Sequence, residues 1–515
     1  MTRIVNVYTI SAFVALGSTL WGLDASSMVV IIGTHQYKDY YGNPLEIRQG
    51  EIISAIYVGS IIGALLSSVL GDQLSRKVAI QVGAGLWCVG AIVQSTSIGI
   101  AMLIIGRVIS GLCIGLTSSL VPIYQCEIAP PKIRGRVVSF HYMAITFGIL
   151  VQYFIQYGCS FIDSQAAFRV PWATQAVPAI ILLIGLFWFP YSPRWLASKD
   201  RWDEALLVLA FLRTANCNIN NPLVLAEYKE IEGQLRLEGN EESNWLHELL
   251  SRKMRKRVFL VIIIHMCQFL SGIPLIIIYG VYVFESAGIN NPVLALSILY
   301  IITALLSIPS VVWIDQWGRR PSLLVGAILF GFLQFLIGGL FMQYGEPNPV
   351  PSQPFTWIIN DHPAVTRTIQ AGCYVFVGIY SLTWGPVTFI YPSEIIPLRI
   401  RSKTVSLTFA LYWIIVFLLN LFFPVLFRSI SWRLFFIFGS LNIGAFIYVW
   451  FAVPETKQRT LEEMDEIFEY DEPLWKSFLN SGDVNRLDRL ARDIERGNLK
   501  IHQLAHLERT TQYSS

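Results

Sequence analysis

Apolar and polar positions in this chain come in long blocks rather than in alternation. Predominantly apolar runs of about 20 residues, enough to cross a hydrocarbon core of roughly 30 Å as a helix, recur twelve times. They lie near 8–33, 51–71, 78–97, 100–122, 137–159, 171–190, 257–284, 293–313, 321–343, 367–391, 403–427 and 432–453. A chain in lipid must satisfy its backbone hydrogen bonds within each crossing segment, so the pattern predicts twelve transmembrane helices. The first run is too long and too weakly basic at its front for a cleaved signal peptide.

Composition supports this reading. The 515 residues are 54% hydrophobic and 14% charged, with a mean hydropathy of +0.53, outside ordinary soluble composition. The seven cysteines (Cys88, Cys113, Cys126, Cys159, Cys217, Cys267, Cys373) form no CxxC pair. The net charge of +3 is spread between spans rather than over one soluble face, so no nucleic-acid partner is expected. With no nucleophile–base pair, metal spacing or phosphate loop in the soluble parts, neither an enzyme nor a cofactor or metal is expected.

Charge also orients the chain. With both termini in the cytoplasm, the short inner loops hold Arg76, Lys77, Lys132, Arg134, Arg136, Arg319, Arg320, Arg399, Arg401 and Lys403, and the outer loops far fewer. The connection 194–256 adds the run Arg252, Lys253, Arg255, Lys256. Within it RWDEALLVLAFLR (201–213) has the spacing of a short amphipathic helix. Outside, Pro347, Pro349, Pro351, Pro354 and Pro363 argue against regular structure in 344–366. The expected organisation is an N-terminal six-helix bundle (1–196), a cytoplasmic helical linker (197–256), a C-terminal six-helix bundle (257–456) and a cytoplasmic tail (457–515), with LEEMDEIFEY (461–470) as a short acidic helix.

The halves repeat. GDQLSRK after the second span is matched by DQWGRR after the eighth; EIAPPKIRG after the fourth by EIIPLRIRS after the tenth; PYSPR after the sixth by PETK after the twelfth. Three matches in order indicate an internal duplication about an axis along the membrane normal. The expected fold is an all-α membrane protein of two pseudo-symmetric six-helix bundles.

These motifs, with GRVISGLCIG (106–115), WGPVTFIYPSEIIPLRIRSK (384–403), PETKQRTLEEMDEIF (454–468) and WGLDASSMVVIIGT (21–34), resemble the major facilitator superfamily and its sugar porter family, nearest the fungal high-affinity hexose transporters. The resemblance covers about residues 10 to 470. It implies a monomeric plasma-membrane carrier that moves a sugar or polyol by rocking of its halves, coupled to protons or by facilitated diffusion.

Asp24 in the first span and Arg107 in the fourth lie at similar depth. An ionisable side chain at a helix centre costs about 2.5–3.5 kcal/mol on insertion scales, so the two read either as a proton-coupling pair or as a static salt bridge. Asp72, Arg76, Glu127, Arg134 and Arg194 in one half, and Asp315, Arg319, Glu394, Arg401 and Glu455 in the other, are expected to form inter-helix ion pairs when the inner gate is shut. Lys77 and Arg320 read as snorkelling charges. Tyr191 departs from the family pattern, which has Glu there and so a stronger N-half network.

The resemblance further implies a sugar site near the midplane, built from Gln and Asn amides with an aromatic face. In the seventh span Gln268, Gly272 and Tyr279 match the family pattern, whereas Phe269, Pro274 and Ile278 replace Gln, Asn and Tyr. Tyr142 takes the place of a fifth-span Gln, Phe389 that of a Trp, and Tyr412 and Val416 flank Trp413 where Asn is frequent. The expected lining includes Gln268, Tyr279, Trp384, Phe389, Tyr142, Tyr412 and Trp413, with His141, Tyr380, Thr383 and Asn420 nearby. An aromatic, moderately polar site leaves two alternatives open: a nutrient sensor of the same fold, and a carrier of a less polar solute.

Overall fold

The computed structural model describes residues 7–42, 46–214, 216–239, 252–348, 356–396 and 398–457, with Met464 and Phe468. Eleven segments among them are long and apolar enough to cross a membrane. The expected first span is present as two helices, Val7–Val14 and Leu16–Ser27, parted at Ala15 and each too short to cross alone. The spans that follow are Glu46–Gln73, Arg76–Ser95, Ile100–Ile128, Arg134–Cys159 and the pair Ala166–Thr174 with Ala176–Gly185. The second half contains a divided seventh span, then Pro292–Trp317, Arg319–Tyr344, the pair Pro363–Leu382 with Trp384–Ile395, Leu398–Ile430 and Arg433–Ala452.

Inside the first half the second span packs on the fourth and the first on the fifth; inside the second half the ninth packs on the twelfth and the eighth on the tenth. Small residues permit these approaches: a Cβ on Gly59 would stand 2.0 Å from the carbonyl oxygen of Val108. The halves meet along two seams, the second span against the eleventh and the fifth against the eighth.

The seventh span is a chain of three helices, Arg252–Leu270, Ile273–Ile277 and Gly280–Ser286. Pro274 predicts a bend near Leu270 and Ser271, and the first helix indeed ends there. Gly272 takes φ +90°, the left-handed region that a Cβ resists. The Ser271 carbonyl accepts from Gln334 Nε2 at 3.4 Å and Asn442 Nδ2 at 3.0 Å, so two neighbouring spans hold the break. The helix interruption also means that Gln268, Gly272, Leu275 and Tyr279 do not form one continuous helical stripe.

Between the halves, Pro193–Ser198, Trp202–Arg213 and Pro222–Gly239 share a small core that includes Trp195, Leu206, Leu209, Val224 and Ile231. Arg213 joins it to the first half: its guanidinium forks onto Glu227 at 2.7 and 2.8 Å and donates to the Ile128 carbonyl at 2.8 Å. Burial would raise the Glu227 carboxyl, but Arg213, with Arg194 and Arg134 beyond it, holds it below its usual range. The basic run from Arg252 forms the start of the seventh span's first helix.

In the proline-rich connection, Glu346–Pro347 pairs antiparallel with Trp357–Ile358, a short regular element where none was expected, and residues 349–355 lie outside the described residues. The acidic helix expected over 461–470 lies outside them too, except Met464 and Phe468, which are buried. The ring of Phe468 lies 4.6 Å beneath the Arg257 guanidinium.

Candidate transport site

A cavity opens between the halves beside the seventh-span break, with about 760 Å³ of space not filled by protein, part of it continuous with solvent. The first half lines it with Trp21, Ala25, Tyr57, Tyr142, Ile145, Thr146 and Ile149. The second contributes Gln268, Phe269, Ile273, Pro274, Ile277, Ile278, Thr303, Tyr380, Phe389, Tyr412, Trp413 and Val416. Of the seven expected binding residues, Gln268, Tyr142, Phe389, Tyr412 and Trp413 stand on this wall. Tyr279 and Trp384 do not: Tyr279 stacks on Phe423 at 4.5 Å and gives its hydroxyl to the Asn420 carbonyl. The Trp384 indole donates to the Leu323 carbonyl behind the wall.

Trp21 and Tyr57 were not expected here. Trp21 is the hub of an aromatic box, with ring centroids 4.9 Å from Trp413, 5.6 Å from Phe389 and 6.3 Å from Tyr412; Tyr57 stacks on Trp413 at 5.9 Å. Trp21 is one helical turn before Asp24 on the first span.

Most polar groups on the wall already have protein partners. Tyr142 pairs with Ser381 at 3.2 Å, Thr146 donates to Ser307 at 3.0 Å and Thr303 to the Leu299 carbonyl at 2.8 Å. Gln268 Nε2 donates to the Tyr380 hydroxyl at 2.8 Å, while Gln268 Oε1 has no partner. His141 is buried behind the box, its Nδ1 2.6 Å from Ser18 Oγ.

Asp24 and Arg107 meet as their depth predicts. Both are buried, with Arg107 Nη1 3.4 Å from Asp24 Oδ1 and Nη2 3.5 Å from Oδ2. Ser27 Oγ donates to the carboxylate at 3.2 Å, and Arg107 also donates to the Ile53 carbonyl of the second span at 3.4 Å. The pair thus connects the first, second and fourth spans.

At the end of the bundle nearest the two termini, motif charges cluster. In the second half Arg319 forks onto Glu394 at 2.6 and 3.1 Å and reaches Asp315 at 3.0 Å; Glu455 accepts from the backbone N–H groups of Arg319 and Arg320. In the first half Arg76 lies 3.2 Å from Asp72 and 3.4 Å from Glu127, whose other oxygen accepts from Ser192. Arg134 and Arg194 are buried beside this cluster.

These pairs are inter-helix but lie within halves. Across the seam, Asp315 Oδ2 accepts from the Arg136 backbone N–H at 2.9 Å and stands 3.9 Å from the Arg136 Nε, with Cys126 Sγ to the Ser393 carbonyl at 3.4 Å and Ser402 Oγ to the Ser68 carbonyl at 3.4 Å beside them. Arg401 is buried with its Nε on the Ile396 carbonyl and neither terminal nitrogen bonded.

Lys77 and Arg320 are anchored rather than snorkelling. Lys77 Nζ donates to the Phe189 carbonyl at 2.8 Å and stands 4.8 Å over the Tyr191 ring; Arg320 donates to the Trp450 carbonyl at 2.7 Å. The Tyr191 ring therefore receives the Lys77 cation at the position that Glu455 matches in the second half.

Two six-span halves around a central cavity define a multi-pass membrane carrier. The sequence model of the "Sugar (and other) transporter" family matches residues 10–468, and the chain belongs to that family. It is 44% identical to the MFS glucose transporter mfs1 of Aspergillus flavus, over 97% of this chain and 96% of that protein. It is 37% identical to a high-affinity glucose transporter of Kluyveromyces lactis, over 92% and 87%. The high glucose sensor RGT2 of Saccharomyces cerevisiae is 32% identical over 89% of this chain but only 60% of its own length. Among solved structures, the proton:xylose symporter XylE bound to 6-bromo-6-deoxy-D-glucose has the same fold, with a TM-score of 0.78 at 23% identity over 90% of this chain and 99% of that one. The inward-open form of XylE from E. coli superposes less well, at 0.64.

Proposed function

We propose that this chain is a plasma-membrane secondary transporter of a sugar or polyol, working by alternating rocking of its two halves with both termini cytoplasmic. The observation that carries the reading is the cavity placed on the seam between duplicated halves, with Gln268 and Tyr380 at its wall and the terminus-bearing end shut by contacts across the seam. In this reading that end is the inner gate, and it opens when the Arg136–Asp315 and Cys126–Ser393 contacts part.

Asp24 is the proposed proton site. A proton on its carboxylate cancels the attraction to Arg107 and frees a guanidinium that also holds the Ile53 carbonyl. Protonation at the first span is thereby transmitted to the second, which forms one of the two seams. Arg76 with Glu127, and Arg319 with Asp315 and Glu394, keep the helix ends of each half rigid as the halves move. The match to named glucose transporters along nearly the whole chain favours conduction over sensing.

A radiolabelled panel of hexoses, pentoses and polyols, offered to a host lacking its own hexose carriers, tests the reading. Saturable uptake of at least one member is expected. Uptake no higher than in the empty host across the panel rejects it.

A further inference from the structure

We infer that the cavity selects pyranosides carrying an apolar aglycone, such as aryl or alkyl glycosides, over free hexoses. This rests on the sugar-transport reading and names the ligand class of the same site. The wall has two chemically different poles. At one, Gln268 Oε1 is buried and unpartnered while its Nε2 is already given to Tyr380, leaving an acceptor for a sugar hydroxyl. At the other, Trp21, Phe389, Tyr412 and Trp413 form an aromatic box with centroid spacings of 4.9 to 6.3 Å.

A free hexose presents hydroxyls on every edge, each both donor and acceptor. Here Tyr142, Thr146 and Thr303 have given their hydroxyl protons to the protein and keep only acceptor lone pairs, so a hexose finds few donors and much of its edge faces apolar wall. Each buried polar group left unpaired is unfavourable, whereas an aryl or alkyl group gains by leaving water for the box. A sugar head at Gln268 with an apolar aglycone against Trp21 satisfies both poles.

The test combines two measurements on the purified full-length chain. Counterflow of labelled D-glucose in proteoliposomes reports on sugar transport itself. Ligand-induced thermal stabilisation in detergent, titrated with D-glucose, phenyl β-D-glucopyranoside and phenol, reports on selectivity. The glucoside is expected to reach half-maximal stabilisation at a concentration about tenfold below glucose, and Trp21→Ala should shrink that ratio at least severalfold. Glucose counterflow with glucose binding as tightly as the glucoside overturns the inference and leaves the transport reading standing. Phenol acting as strongly as the glucoside overturns it also, because the sugar pole would then have no role. Absence of both counterflow and stabilisation by either sugar rejects inference and reading together.

Discussion

Arg319 answers two carboxylates at once, and that makes it the most consequential single charge in the cluster at the terminus-bearing end. Its side chain is 1% exposed, against 4% for both Asp315 and Glu394. Removing one member of such a buried cluster leaves carboxylates without a counter-charge, which costs about 3–5 kcal/mol. Arg319→Ala is expected to lower the melting temperature in detergent markedly. Arg76→Ala should cost less, because its partner Asp72 is 38% exposed and better served by solvent, and its buried partner Glu127, at the longer distance of 3.4 Å, keeps the Ser192 hydroxyl; equal losses would contradict this ranking. At this scale the sequence was informative where a motif constrains a residue and weak where only packing does. Gln268, Tyr142, Phe389, Tyr412 and Trp413 could be placed by offset, and Asp24 with Arg107 by depth. Trp21 and Tyr57 could not, since an aromatic residue in an apolar span looks the same whether it packs or lines a cavity. Nor was it legible that Arg136 would reach across the seam, since its hydrogen bond there comes from a backbone N–H, a group common to nearly every residue, with its guanidinium 3.9 Å from the same carboxylate.

Among the elements, the seventh span and the soluble insert respond to different variables. Gly272→Ala would force a Cβ into left-handed backbone and to within 2.3 Å of Gln334 Nε2. The backbone penalty alone is about 1–2 kcal/mol, so a lower melting temperature and weaker substrate binding are expected. Gly85→Ala, where a Cβ meets nothing within 4 Å, should be nearly neutral in the same assay. In the insert, Glu227 has its carboxyl held below the usual range in the folded state. Its stabilisation is therefore complete above the unfolded value, about pH 4.3, and is lost as pH falls through the lower folded value. Protease sensitivity of the insert should rise over that acidic interval, and Glu227→Gln should show the raised sensitivity at neutral pH already; identical pH profiles for the two proteins would refute the assignment. Pro274 disclosed the first break of the seventh span because a missing backbone donor is visible in sequence. The break around Ile278 and Tyr279 has no such marker, and the division of the first span at Ala15 has none either.

Over the whole molecule, duplication made the two-bundle architecture readable, since three motif pairs recur in the same order. What the repeat concealed is the asymmetry of the copies. The second half ties its charge cluster with a carboxylate, Glu455, over the N-terminal end of the ninth span, whereas the first half uses the Tyr191 ring over Lys77. The motifs also said nothing of conformation, which depends on contacts between halves that local patterns do not encode. In the shut arrangement the Cys126 thiol is buried at the seam. N-ethylmaleimide labelling of Cys126, followed by peptide mass spectrometry, should accelerate several-fold under sugar turnover; a rate indifferent to sugar would argue against opening at this end.

We propose that sugar movement is coupled to a proton on Asp24 through Arg107. The most direct test is sugar accumulation by proteoliposomes of the purified chain under an imposed proton gradient, compared with Asp24→Asn in the same membranes. Accumulation above the external concentration is expected for the natural chain, collapsing to simple equilibration for Asp24→Asn while counterflow persists. Accumulation by the Asn variant equal to that of the natural chain, or none by the natural chain under either gradient direction, would contradict it.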